Sequence, residues 1–176
     1  MLMNEEMQHI WERWQLRRHD LKRENLNIFR LWKQKINQVK SPWETLLNVH
    51  QEAFEKVNCL SCAQCCKNAP PLLDDQDIQT LSSYMGITQK EFKRLYTLTD
   101  VNSEVSMNKV PCMFLEADNS CKVYEIRPKA CRGYPHTDEK AYFSRPEFNA
   151  AVTVACPAAF YVAEKLKKII PEDYDI

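Results

Sequence analysis

Residues 5–39 contain neither proline nor glycine, and they set Met7, Trp14, Leu21 and Ile28 seven residues apart, with Trp11 and Trp32 on the adjoining stripe. Apolar positions that return to one face at this period predict an amphipathic helix, either one long element or two shorter ones. Arg18 and Asn25 interrupt it where a strict heptad would carry apolar side chains. The expected role is a helix lying on the rest of the domain, with a docking surface for a protein partner through Trp11, Trp14 and Trp32 as a second use. Arg17, Arg18, Lys22 and Arg23 on the same stretch read as a solvated face.

Ser41-Pro42-Trp43-Glu44 has the form of a capping box with proline at the first helical position, so a second helix is expected from about Pro42 to Val57, carrying His50 as an ordinary surface or core histidine. Pro70-Pro71 forces an extended segment, after which Asp74 or Asp75 opens a helix that Gly86 closes. Thr88-Gln89-Lys90-Glu91 is a further capping box, for a helix through about Tyr96. Leu81, Tyr84, Met85, Phe92 and Leu95 on these two helices read as core. Residues 98–109 are polar and read as an exposed loop.

Val110 to Leu115 and Cys121 to Tyr124 are short apolar arms around the turn-forming Ala117-Asp118-Asn119-Ser120, which predicts a β-hairpin bringing Cys112 and Cys121 together. Arg127 to Pro135 reads as a turn or short helix ended by Gly133. Cys156-Pro157 opens a last helix through about Ile169 that buries Phe160, Val162 and Leu166. The whole pattern predicts a mainly α protein with a small β-hairpin and an irregular, cysteine-rich core packed by short helices. Its expected organisation is an amino-terminal helical region over residues 1–57 and a cysteine-cluster metal-binding domain over 58–176, the latter one compact unit.

Composition narrows the function. The chain has 176 residues, enough to bury a core without covalent staples, and its 24 basic and 24 acidic side chains leave a formal net charge of zero. That balance argues against a nucleic-acid-coating surface. Two glycines in the entire chain exclude phosphate loops and dinucleotide fingerprints, both of which need several. Polar residues near the start predict no signal peptide, and no run approaches the roughly 18 apolar residues of a membrane helix. The expected location is the cytoplasm, where clustered thiols stay reduced and bind metal more often than they pair.

The chemistry sits in the cysteines. Cys59, Cys62, Cys65 and Cys66 fall within eight residues, and Cys112, Cys121, Cys131 and Cys156 follow. C-x2-C-x2-C opens the bacterial ferredoxin pattern, in which three thiolates come from one loop and a remote Cys-Pro supplies the fourth. Here Cys156-Pro157 and Cys131 both qualify as the completing ligand, and spacing does not choose between them. Adjacent side chains point apart, so Cys65 and Cys66 are expected to serve different roles or different metals. Eight thiols would equally make two four-coordinate zinc sites. No nucleophile–base pair, carboxylate pair or triad can be assembled, so no catalytic residue is named.

The string C-x2-C-x2-CC, P-C-x-F-L and C-x2-Y-x2-RP-x2-CR-x-YP resembles the CxxCxxCC family of zinc- or iron-chelating proteins. The matching positions are Cys59, Cys62, Cys65, Cys66, Pro111, Cys112, Cys121, Tyr124, Arg127, Pro128, Cys131, Arg132 and Pro135. The resemblance implies an iron–sulfur cluster, slightly favoured, or Zn2+ held by the eight cysteines, with a redox role if the metal is iron. The alternatives are a structural zinc interaction module and, because the family includes flagellin lysine methylase-like proteins, a methylase-like enzyme using S-adenosylmethionine. No residue carries that last role. Beside the cysteines, Arg127 and Arg132 would offset the negative charge of a thiolate centre, or pair with Glu116, Glu125 or Asp138; the second reading is favoured for Arg127. His136 reads as a surface side chain rather than a nitrogen ligand.

Overall fold

A computed structural model describes residues 3–170. The elements in chain order are α1 (Glu5–Arg17), α2 (Leu21–Lys35), α3 (Pro42–Lys56), α4 (Cys59–Cys62), α5 (Gln64–Asn68), α6 (Asp75–Met85), α7 (Gln89–Tyr96), β1 (Thr97–Thr99), β2 (Val105–Met107), α8 (Lys129–Gly133), α9 (Pro146–Ala155) and α10 (Pro157–Ile169). The protein is mainly α with one small antiparallel strand pair, as the apolar pattern predicts. By contacts the chain divides into a helical unit, Met1–Ser61 with Pro135–Ile176, and a thiol-bearing unit, Cys62–Tyr134. The carboxyl-terminal helices group with the amino-terminal ones in this division. The last six residues of the expected 58–176 region lie outside the described residues.

In the helical unit, the predicted amino-terminal helix is two helices. Asn4 caps α1 by accepting the Met7 N–H at 2.8 Å, and the chain turns over residues 18–20. Asn25 does not interrupt α2: it is buried, and its Nδ2 donates to Thr153 Oγ1 at 2.9 Å, while its Oδ1 is buried without a hydrogen-bond partner. Trp14 Nε1 donates to the Thr153 carbonyl at 2.9 Å. Trp14 and Trp32 are buried, which makes them core residues rather than a docking surface. Part of the basic patch is paired, Arg17 with Glu24 and Glu164. Helices α2, α3, α9 and α10 enclose a core of Phe29, Trp32, Leu46, Val49, Val162 and Leu166. Proline opens α3, but Ser41 is left-handed (φ 50°) and its side chain makes no cap bond, so the expected capping box is absent there.

The thiol-bearing unit follows its capping signals closely. Asp74 and Asp77 form a reciprocal capping box at the start of α6, Thr88 and Glu91 another at α7, and Gly86 closes α6 at φ +68°, a left-handed cap that glycine adopts without steric cost. The core gathers Leu73, Ile78, Leu81, Phe92, Met107, Phe114 and Val123. Tyr84 and Leu95, expected inside, are exposed; Tyr84 meets the Phe114 ring edge-on at 6.3 Å between centroids. The strand pair also falls elsewhere than expected. It forms in the stretch read as loop, with Thr97 opposite Met107 and Thr99 opposite Val105. The reason is Met107, whose buried side chain gives an otherwise polar arm a core face.

Candidate metal centre

Four short segments of the thiol-bearing unit each deliver cysteines. Ala63 takes a left-handed conformation (φ 49°) that separates α4 from α5, and α5 carries Cys65 and Cys66. Their sulfurs stand 3.9 Å apart, within S–H···S reach, so adjacency does not separate them as expected. Cys112 is tied to this segment by its own backbone N–H, which donates to the Cys66 carbonyl at 2.7 Å.

Cys121 arrives through the turn at Asp118–Ser120. The Ser120 N–H donates to Asp118 Oδ1 at 2.9 Å, Asn119 sits at φ 69°, and the Glu116 N–H donates to the Ser120 carbonyl at 2.9 Å. The expected hairpin is reduced to this turn and one bridge, Leu115 opposite Cys121, because its arms are too short to continue the ladder. Cys131 lies in α8. Asp77 places that helix: one carboxylate oxygen serves the α6 capping box while Oδ1 accepts the Lys129 N–H at 3.0 Å. The sequence marked Asp77 only as part of a helix start; nothing local signalled a second partner 52 residues away.

The electrostatics tie these segments into one cluster. The Cys66 thiol is held far above its ordinary range by the hydrogen bond with Cys65, by burial and by repulsion from Cys65, with Arg127 acting in the opposite sense. Burial pushes Cys131 up to about 12, and the charges of Cys66, Cys112 and Cys121 add to the shift while Arg127 opposes it. Cys112 and Cys121 are raised by burial first and by neighbouring thiols after it. Backbone N–H groups work the other way: those of Phe114 and Leu115 act on Cys112 and that of Val123 on Cys121, each stabilising a thiolate. Cys66 thus acts on Cys112, Cys121 and Cys131, and Cys112 and Cys121 act on Cys131; none of the four is in a disulfide.

Among the described residues, no three His, Cys, Asp or Glu side chains already converge in a geometry that could hold a metal ion. The donor chemistry nonetheless fits a thiophilic metal. Half-buried soft donors whose ionisation is disfavoured would gain from a dication, and amides aimed at sulfur are what a bound thiolate requires.

Arg127 reverses the expectation made for it. It makes no ion pair with Glu116, Glu125 or Asp138; Glu116 pairs with Lys122 at 3.1 Å instead. Its guanidinium carbon lies 3.6 Å from the centroid of the Tyr124 ring, and its charge acts on Cys66, Cys121 and Cys131. Tyr124 was a motif position without a role; the three-residue spacing across the 3-10 turn Tyr124–Ile126 is the signal that stacks it under Arg127. Arg132 is exposed and donates from Nη1 to the Arg127 carbonyl, so it supports Arg127 rather than the sulfurs.

The remaining cysteines are described separately. Cys62 is buried at the end of α4; Cys59 and Cys156 belong to the helical unit, Cys59 exposed and Cys156 buried where α10 begins. His50 pairs with Thr137 at 2.9 Å, and His136 with Glu139 at 2.5 Å. No helix among the described residues is long and apolar enough to cross a membrane. A family model described as CxxCxxCC, a putative zinc- or iron-chelating domain, matches residues 58–157, more than half of the chain. No solved structure matches the chain.

Proposed function

The chain belongs to the CxxCxxCC family of zinc- or iron-chelating domains, and from that premise we propose that it holds a metal centre through Cys66, Cys112, Cys121 and Cys131. The reading is supported by the family match over residues 58–157 and by the Cys112 N–H, which donates to the Cys66 carbonyl at 2.7 Å and ties two cysteine-bearing segments of one unit together. Cys66, Cys112, Cys121 and Cys131 would hold the metal as thiolates, and a bound dication would offset their negative charge. Four protein sulfurs fill a tetrahedral site and leave no open position for water, so the centre does not activate a hydrolytic nucleophile. With Zn2+ it is a structural clasp for the thiol-bearing unit; with iron, alone or in an iron–sulfur cluster, it becomes an electron-transfer site. A reducing compartment such as the cytoplasm suits either.

Metal analysis with an absorption spectrum, on protein purified without oxygen, tests the proposal. Bound iron with comparable sulfide and broad absorbance near about 400 nm identifies the redox form. A colourless protein with bound zinc identifies the clasp. Protein that retains neither metal, and takes up neither on anaerobic addition, contradicts the proposal.

A further inference from the structure

Cys65 has no place among the four proposed ligands, yet its sulfur lies 3.9 Å from that of Cys66, within S–H···S reach. No hydrogen bond between sulfurs joins Cys112, Cys121 or Cys131 to a neighbour among the described residues. Cys65 and Cys66 are both half-buried, so a small oxidant reaches them. Two thiols held in contact close readily on each other, because the second already lies beside the sulfur that an oxidant activates. Adjacent Cα atoms stand about 3.8 Å apart across a trans peptide, short of the roughly 4.4–6.8 Å of ordinary disulfides, so the closed pair is strained and easily reduced again. A short element takes up that strain: α5 spans five residues between left-handed Ala63 (φ 49°) and extended Ala69 (φ −134°). Cys66 passes the change on, since its carbonyl accepts the Cys112 N–H at 2.7 Å.

We propose that Cys65 and Cys66 are a redox-sensitive dithiol, which hydrogen peroxide closes into a vicinal disulfide, withdrawing Cys66 from the metal centre and loosening the metal. This rests on the ligand set proposed above. In the first step the Cys65 sulfur attacks a peroxide oxygen; the O–O bond breaks, a sulfenic acid forms at Cys65, and the other oxygen leaves as water with the thiol proton. In the second the Cys66 thiolate attacks that sulfur, the S–S bond forms, and hydroxide leaves. The two sulfurs supply the two electrons that reduce the peroxide, so one peroxide consumes one dithiol. Three of the four proposed sulfurs are left for the metal, and a reducing thiol restores the set by exchange.

The test loads the wild type and Cys65→Ser with Zn2+ without oxygen, checks both for intact helical circular dichroism, and treats each with hydrogen peroxide. Zinc release is followed with a chromogenic chelator. The thiols left unpaired are then alkylated, and fragmentation of the peptides by mass spectrometry locates the disulfide. The wild type is expected to lose zinc as two thiols disappear, with the bond between Cys65 and Cys66, and to bind zinc again after dithiothreitol. Cys65→Ser is expected to take up zinc as the wild type does and to release it at least about 10-fold more slowly, having lost the neighbouring thiol. Release from Cys65→Ser at the wild-type rate, or a wild-type disulfide between other cysteines, overturns the inference and leaves the metal centre standing. A folded Cys65→Ser that takes up no zinc makes Cys65 a ligand and overturns it as well. If Cys65→Ser does not fold, the wild-type disulfide map decides alone. A wild type that takes up no zinc overturns the ligand set, and with it the withdrawal of Cys66.

Discussion

In the helical unit Phe29 meets Trp32 and Tyr142 edge-on at ring separations of 5.2 and 5.8 Å, inside a cluster that runs through Leu46, Val49, Val162 and Leu166. In the thiol-bearing unit a smaller cluster from Leu73 to Val123 is flanked by the half-buried Cys112 and Cys121, whose protonated sulfurs resist ionisation. The first interior is closed by apolar burial together with the buried bonds of Trp14 and Asn25 to Thr153. The second combines a modest core with short elements, a two-stranded sheet and donors that repel one another as thiolates. All four tryptophans lie in the first unit, whereas the second carries six of the eight cysteines.

The widest separation between the two should come from metal removal. Structural zinc contributes on the order of 10 kcal/mol of apparent folding free energy in small thiolate domains. Chelator treatment should therefore weaken amide-exchange protection across residues 62–134 without abolishing it, and spare α2, α3 and α10. Uniform loss, or none, would break the comparison. Next in size is Phe29→Ala, which empties a buried aromatic site in the helical unit: a stability loss of about 3–5 kcal/mol by urea unfolding is expected, with metal content unchanged.

A pH effect follows from the thiols. Cys131 is raised from 9.0 to about 12, so the folded metal-free unit keeps a proton that the unfolded chain releases. Because the native state binds more protons there, stability is intact below the unfolded thiol value near about 8.5 and falls as pH rises from there toward about 12. For Cys131 alone the loss should reach about 2 kcal/mol by roughly pH 10. Urea midpoints at neutral pH and near pH 10 should diverge for chelated protein and stay together for loaded protein. Smallest is Asp74→Ala, which removes the α6 cap for about 1 kcal/mol and should leave metal affinity unchanged.

Local signals were legible in the sequence and tertiary ones were not. The caps at Asp74 and Thr88, the closing Gly86 and the Cys156-Pro157 start of α10 all form where the residues announce them. Each depends on a hydrogen bond or a backbone angle within a few positions. The Ser41 cap failed because its backbone turned left-handed, which no neighbour dictated. The strand pair at 97–107 was missed because only the burial of Met107 sets its inner face, and α9 was not foreseen because its core face is small: alanine, asparagine and threonine around Val152. In the candidate site the cysteines and the two arginines were visible as residue types. The stacking of Arg127 on Tyr124 and the turn of Arg132 to the Arg127 carbonyl are contacts that spacing alone does not rank.

The central claim is that Cys66, Cys112, Cys121 and Cys131 together hold a metal. X-ray absorption at the metal edge, on wild-type protein and on Cys131→Ser loaded without oxygen, tests it most directly. The account predicts sulfur neighbours at about 2.3 Å in the wild type. In the variant it predicts a lower sulfur count, with either an oxygen or nitrogen neighbour in place of the lost sulfur or less metal per chain. An unchanged sulfur shell and metal content in Cys131→Ser, or a wild-type shell made of oxygen and nitrogen, would contradict it.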